Sequence, residues 1–93
     1  MRVLVTDGNE RASLAITRAL GREQVEVIVG AESQRSLAGS SRYCRRSITY
    51  PSPYQEPERF IATLMEAVQT HRVDALIPLS DIAMHVLGPE KAQ

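Results

Sequence analysis

Residues 2 to 9 read RVLVTDGN, and this stretch decides the fold class. The run from Arg2 to Thr6 is rich in β-branched residues, as in a short buried strand, and Asp7-Gly8-Asn9 is a turn signal. After the turn, apolar residues recur at helical spacing from Ala12 to Leu20, which predicts an amphipathic helix packed on a sheet. A strand, a tight turn and a helix in this order predict an α/β protein.

The next segments extend this beginning into a parallel sheet. Val25 to Gly30, VEVIVG, predicts a second strand, and a strand-helix-strand unit of this length favours parallel pairing through a right-handed crossover. Residues 31 to 47 are predicted to be mostly loop, with a short helical turn at residues 36 to 41. Residues 47 to 50 predict a third strand, which Pro51-Ser52-Pro53 brings to an end.

The second half of the chain repeats the alternation. Pro57 suits the first turn of a second helix, whose apolar stripe runs to Val68 and which ends near Thr70-His71. Residues 73 to 79 predict a fourth strand, and Ser80 or Asp81 is a good N-cap for a third helix. The pattern predicts one Rossmann-like α/β domain over residues 1–93, with a parallel sheet of order 3-2-1-4 and helices on both faces.

Composition narrows the classes of partner. With 93 residues, 43% of them hydrophobic, the chain has room for one small domain. Eleven basic residues balance eleven acidic ones, so we expect neither a nucleic acid nor an anionic membrane as partner. The single Cys44 excludes an internal disulfide, and the chain has no apolar run long enough for a signal peptide or a membrane span. We therefore expect a cytoplasmic protein.

Ligands of such sheets bind beyond the carboxyl ends of the strands, where the strand order reverses. Here that point lies between the loop after the first strand, residues 7 to 10, and the loop after the fourth, Ser80-Asp81. We expect these two loops to be neighbours and to open onto one crevice.

The first loop is only partly like a dinucleotide-binding fingerprint. That fingerprint needs three spaced glycines so that a pyrophosphate can approach the backbone, and Gly8 alone is present. The side chains of Arg11 and Ser13 would crowd the approach. An NAD(P)-binding domain therefore stays an alternative. A structural explanation is that Gly8 supplies a positive φ while Asp7 or Asn9 caps the helix.

Two other clusters have a chemical and a structural interpretation. Arg42, Arg45 and Arg46 surround Cys44, and cations can activate a thiol or bind a phosphate. Because no histidine lies nearby in the sequence, we favour a solvated basic loop beside an ordinary half-buried cysteine. Asp81 and His85 share a helix face but have no third ligand at a recognisable spacing, so no metal site is predicted.

Three segments together resemble the N-terminal domain of ATP-grasp ligases, nearest to carbamoyl-phosphate synthase large chain-like and other carboxylate-amine ligases. They are RVLVTDGNERASLAITRAL (2–20), SSRYCRRSITYPSP (40–53) and DALIPLSD (74–81). The resemblance implies a parent enzyme that phosphorylates a carboxylate with ATP and lets an amine attack the acyl phosphate. ATP and Mg²⁺ would bind to later domains of that parent, and the N-terminal domain would form one wall of the substrate cleft.

The resemblance also implies site residues and partners. The substrate-binding wall would consist of Asp7, Gly8, Asn9, Ser80 and Asp81, with no catalytic residue and no cofactor in this chain. Its partners would be the remaining ATP-grasp domains and a small carboxylate or amine. Because no lysine precedes Lys91, the lysines that grip the nucleotide would lie elsewhere, and we expect a fragment that is inactive alone.

A third function is a noncatalytic interaction module. The edge of the fourth strand and the incomplete helical cover would favour association with another chain, including a homodimer.

Overall fold

The computed structural model describes residues 1–80, and within them four strands form one parallel sheet. In chain order the elements are β1 Arg2–Val5, α1 Arg11–Arg22, β2 Glu26–Ala31, β3 Cys44–Thr49, α2 Pro57–Thr70 and β4 Ala75–Ile77. The strand order is β3-β2-β1-β4, which confirms the α/β prediction and the predicted order. The third helix predicted from Asp81 onward lies outside the described residues.

The two faces of the sheet belong to two apolar clusters. Leu4 and Ile28 pack with α2 residues such as Phe60 and Leu64. Their strand neighbours, including Val3, Val5, Val27 and Val29, cluster with α1 residues such as Leu14, Ile16 and Leu20. Because successive strand side chains point to opposite faces, this division indicates that α1 packs on one face and α2 on the other.

The third strand begins three residues earlier than the sequence pattern predicts, at Cys44 instead of Ser47. Pairing with β2 recruits the extra residues, since Val27 lies opposite Cys44 and Ile28 lies opposite Arg46. Arg45 is therefore an extra residue in β3, which makes the pairing irregular at this point, as in a β-bulge. Polar residues in an edge strand carry little apolar periodicity, and that is why the prediction began too late.

Both long helices end in the same hydrogen-bonded motif. The amide of Val25 donates to the carbonyl of Leu20 at 3.0 Å, and that of Gln24 to Gly21 at 3.0 Å. At the end of α2, the amide of Val73 likewise donates to Val68 at 2.9 Å. This is the Schellman arrangement, whose left-handed position usually holds glycine. Neither helix of residues 1–80 is long and apolar enough to cross a bilayer.

Candidate functional site

The turn after β1 and the segment after β4 meet at the carboxyl edge of the sheet. The amide of Ser80 donates to Oδ2 of Asp7 at 3.0 Å, and the amide of Leu79 donates to Oγ1 of Thr6 at 3.0 Å. The Thr6 hydroxyl in turn donates to the Asp7 carboxylate. The prediction that the two loops are neighbours is therefore confirmed. Asp81, the remaining predicted site residue, lies outside the described residues.

Asp7 is the residue that makes the turn, because its backbone is left-handed, with φ of 57°. Its amide donates to the hydroxyl of Tyr50 at 2.9 Å. The hydroxyl of Ser13 lies 2.8 Å from the carbonyl oxygen of Thr6 and 2.6 Å from that of Asp7. The structural explanation that Gly8 supplies a positive φ is wrong, because the left-handed residue of this turn is Asp7 and Gly8 has no positive φ. Hydrogen bonds on both sides of the Asp7 peptide hold the unusual conformation there.

Gly8 is instead required by close packing. A Cβ atom at this position would lie 2.6 Å from Oγ of Ser36 and 2.7 Å from Cγ1 of Val29. Its amide donates to the carbonyl of Gly30 at 3.0 Å, and its carbonyl accepts from the amide of Ala38 at 2.7 Å. Both polar groups of the Gly8 backbone are thus bonded inside the protein.

Asn9 holds the segment that follows β2. Its amide nitrogen donates to Oγ of Ser33 at 3.3 Å, and its Oδ1 accepts from the amide of Leu37 at 3.3 Å. The N-cap position of α1 belongs to Glu10, which makes no side-chain capping bond. The predicted capping of α1 by the side chain of Asp7 or Asn9 is therefore wrong, although the Asp7 carbonyl accepts from the Glu10 amide at 2.9 Å.

A crevice of about 110 Å³ opens beside this turn, and we call it the acidic crevice. Its lining consists of Asp7, Gly8, Asn9, Glu10, Ala31, Glu32 and Tyr50. Three of these residues are carboxylic acids and none is basic, so the crevice is suited to a positively charged group. Of the predicted wall residues, Asp7, Gly8 and Asn9 line it. Ser80 is bonded to Asp7 but is not one of the lining residues, so this crevice is formed at the ends of β1, β2 and β3 and not between the two predicted loops.

Sequence reasoning missed Tyr50 as a site residue. It follows β3 directly, so the rule that ligands meet the carboxyl ends of parallel strands was the available signal. The side chain is buried, and its ring packs edge to face on Phe60 with centroids 4.8 Å apart. Burial raises the pKa of the Tyr50 hydroxyl well above its usual value, so the group stays neutral and can donate or accept a hydrogen bond.

The arginines near Cys44 do not surround its thiol. Cys44 packs with the cluster on the α1 face, and its thiol donates to the carbonyl of Arg46 at 3.2 Å. The guanidinium of Arg42 lies over the ring of Tyr43, 5.0 Å from its centroid. Arg45 and Arg46 line a separate crevice together with Ile28, a residue of the α2-side cluster. Cys44 is a packing residue in this arrangement.

Within residues 1–80, no group of three or more histidine, cysteine, aspartate or glutamate side chains is arranged to hold a metal ion. Asp81 and His85 lie outside this range. A comparison with protein-family models finds no match for the chain, and a comparison with curated proteins finds no relative. The likeness to ATP-grasp ligases therefore rests on the three sequence segments alone.

Proposed function

We propose that this chain is the N-terminal substrate-wall domain of a cytoplasmic ATP-dependent carboxylate-amine ligase, resembling carbamoyl-phosphate synthase, and that it is inactive alone. The observation that carries the proposal is the hydrogen-bonded junction of the Asp7 turn with Ser80 at the carboxyl edge, beside the acidic crevice. This is the edge at which parallel sheets bind their ligands. The three sequence segments that resemble the ligases include both sides of that junction.

The charge of the crevice favours the amine as the substrate that this wall orients. Asp7, Glu10 and Glu32 would attract an ammonium group and repel a carboxylate. The neutral hydroxyl of Tyr50 adds a polar group beside them. A wall of this kind holds the amine in place, and loss of an ammonium proton would make that amine a nucleophile toward the activated acid.

The described residues lack the lysines by which the resemblance implies that ATP is gripped, since residues 1–80 contain no lysine. Within the same residues, no cluster of carboxylates and histidines is arranged as metal ligands for Mg²⁺. The proposal therefore assigns both to other domains of the parent, and it gives this chain binding and orientation only.

Titration of the ¹⁵N-labelled chain with ethylammonium, acetate and ATP tests the proposal. We expect ethylammonium to shift the amide signals of Gly8, Asn9 and Ala31, and acetate and ATP to leave them in place. Glu32→Gln should weaken ethylammonium binding by up to about fivefold, because one carboxylate at a solvated site contributes at most roughly 1 kcal/mol. Glu66→Gln, an exposed site on α2 outside the crevice, is the matched control. Saturable shifts of the Gly8, Asn9 and Ala31 amides with ATP, or shifts of these amides with acetate alone, would contradict the proposal.

The alternative of NAD(P) binding has less support, because the amide and carbonyl of Gly8 are engaged by Gly30 and Ala38 and are not offered to a pyrophosphate. Adding NADP and NAD to the same titration separates the two functions, and saturable shifts around Gly8 would favour the dinucleotide.

A noncatalytic interaction module is the remaining alternative. It is motivated by β3 and β4, the outer strands of the sheet in residues 1–80. Size-exclusion chromatography over a range of concentrations tests self-association. A strictly monomeric profile would remove the motivation for a homodimer.

A further inference from the structure

We propose that a second crevice, at the opposite edge of the sheet from the acidic crevice, binds the phosphate group of a small molecule. We call it the basic crevice. It has a volume of about 250 Å³ and is lined by Arg2, Glu26, Ile28, Arg45, Arg46, Thr70 and His71. Arg2 and Glu26 are the first residues of β1 and β2, and Thr70 ends α2, so the crevice lies at the amino ends of the strands. This inference does not depend on the proposed ligase function.

The irregular pairing in β3 aims two consecutive arginines at this crevice. Adjacent residues of a regular strand point to opposite faces of the sheet. Here Arg45 is the extra residue between the pairs Val27–Cys44 and Ile28–Arg46, and both Arg45 and Arg46 line the same crevice. Without this extra residue, only one of the two guanidinium groups would belong on this face.

The other charges of the basic crevice neutralise one another. Nε of Arg2 donates to Oε2 of Glu26 at 2.7 Å, and this hydrogen bond holds the pKa of the Glu26 carboxyl below its usual value. NH1 of Arg2 donates to the carbonyl of His71 at 2.8 Å and so satisfies the end of α2. Arg2 and Glu26 thus form a salt bridge that lines the basic crevice without adding net charge to it.

Two positive charges remain after this pairing. Within residues 1–80, neither Arg45 nor Arg46 forms a salt bridge, and their guanidinium groups donate no hydrogen bond. Arg45 acts on Glu26 only through its charge. Arg2 already donates to the carbonyl at the end of α2, so neither Arg45 nor Arg46 is needed to satisfy that helix end.

A phosphate is the ligand chemistry that matches this lining. Guanidinium groups bind phosphate oxygens through paired N–H donors, and two of them balance the two negative charges of a phosphate monoester. Thr70, whose side chain carries a hydroxyl group able to donate a hydrogen bond, is also among the lining residues. The volume is below the ~300–1,000 Å³ of pockets for drug-sized ligands, which favours a compact phosphorylated molecule.

A bulge and exposed arginines also discourage other strands from pairing with an edge strand. Protection of the edge requires only charge in the strand, and it predicts no saturable anion binding. The two explanations therefore give different results in a binding experiment.

The test is a titration of the ¹⁵N-labelled chain with inorganic phosphate and with glycerol 3-phosphate at low ionic strength. We expect saturable shifts at the amides of Arg45, Arg46 and His71. The double variant Arg45→Gln/Arg46→Gln should bind at least about tenfold more weakly, because it loses charge-assisted hydrogen bonds. Arg11→Gln/Arg18→Gln, which removes the same charge from exposed positions of α1, should stay within about twofold of the wild type.

The two anions distinguish the source of the phosphate. If glycerol 3-phosphate binds more tightly than inorganic phosphate, the ligand of the basic crevice is a phosphorylated metabolite. If the two bind equally, the ligand is inorganic phosphate, and both results support a phosphate site at this crevice. An absence of saturable shifts, or equal weakening in both double variants, would overturn the proposal. Duplex DNA binding more tightly than either small anion would overturn it in favour of a nucleic-acid surface. Each single variant is measured as well, with circular dichroism to check that it folds.

Discussion

At the scale of single residues, two buried threonines with the same side chain have opposite roles. Thr6 and Thr17 are both fully buried. The Thr6 hydroxyl accepts from the Leu79 amide and donates to Asp7, and so joins the end of β1 to the segment after β4. Within the described residues, the Thr17 hydroxyl in α1 has no hydrogen-bond partner. Replacement by valine, which has nearly the same shape, separates the two cases.

Thr17→Val should stabilise the protein by about 1 kcal/mol, because it removes a buried hydroxyl whose desolvation no hydrogen bond offsets. Urea unfolding measures the change, and a loss of stability would show that the hydroxyl is bonded after all.

Thr6→Val should destabilise the protein by about 1–3 kcal/mol, since the Leu79 amide loses its acceptor. Hydrogen exchange should become faster at the amides of Leu79 and Ser80 than at those of β2. Unchanged exchange at these two amides would argue against the junction between the loops.

Tyr50 should make stability depend on pH in the alkaline range. Burial raises the pKa of its hydroxyl, so the folded chain keeps the proton when the unfolded chain loses it near pH 10. This contribution is complete below pH ~10 and declines above it, by up to ~1.4 kcal/mol per pH unit. Tyr50→Phe should therefore lose less stability than the wild type between about pH 9 and 11.

Urea unfolding at a series of pH values measures this difference. Tyr54→Phe, at an exposed ring, is the control and should follow the wild-type curve. Parallel curves for the wild type and Tyr50→Phe would contradict the assignment.

At the scale of elements, the helix ends hold avoidable strain. Gln24 and Arg72 occupy the left-handed position of the two Schellman motifs, with φ of 65° and 54°. The flanking apolar pairs, Leu20 with Val25 and Val68 with Val73, lie in the same clusters, as this motif favours. The hydrogen bonds and apolar contacts therefore impose the left-handed conformation on Gln24 and Arg72, although residues with a Cβ atom disfavour it.

Gln24→Gly should stabilise the protein by about 1 kcal/mol, because glycine adopts this conformation without a steric penalty. Gln24→Ala keeps the Cβ atom and is the matched control, and it should bring no such gain. Thermal unfolding of the three proteins decides the matter. Equal stability of the glycine and alanine variants would show that the φ angle costs nothing.

At the scale of the whole molecule, close packing at Gly8 holds three segments together. The turn after β1 contacts Val29 in β2 and Ser36 in the following segment, and the Gly8 carbonyl accepts from Ala38. Gly8→Ala should cost about 1–3 kcal/mol, because the added methyl overlaps buried atoms. The double variant Gly8→Ala/Ser36→Ala should recover part of that loss in urea unfolding. Full additivity of the two changes would mean that Ser36 does not crowd Gly8.

The molecule also separates its charges although its formal net charge is zero. Three carboxylic acids line the crevice at the carboxyl edge, and three arginines line the crevice at the amino edge. A balanced composition therefore said nothing about local binding, because only the parallel arrangement of the strands brings residues of like charge to the same edge.

By itself, the sequence determined the α/β class, the helices α1 and α2, and the parallel strands, because apolar periodicity and turn residues report on neighbours along the chain. The alternation of strands and helices also gave the strand order, because few arrangements of a parallel sheet satisfy it. The sequence also indicated that the Asp7 and Ser80 loops meet. Only the tertiary structure decided that Asp7 holds the left-handed turn and that Tyr50 lines the acidic crevice. It also decided that Arg45 and Arg46 both line the basic crevice. These features arise from pairing and packing between residues far apart in the chain, and no local pattern records such contacts.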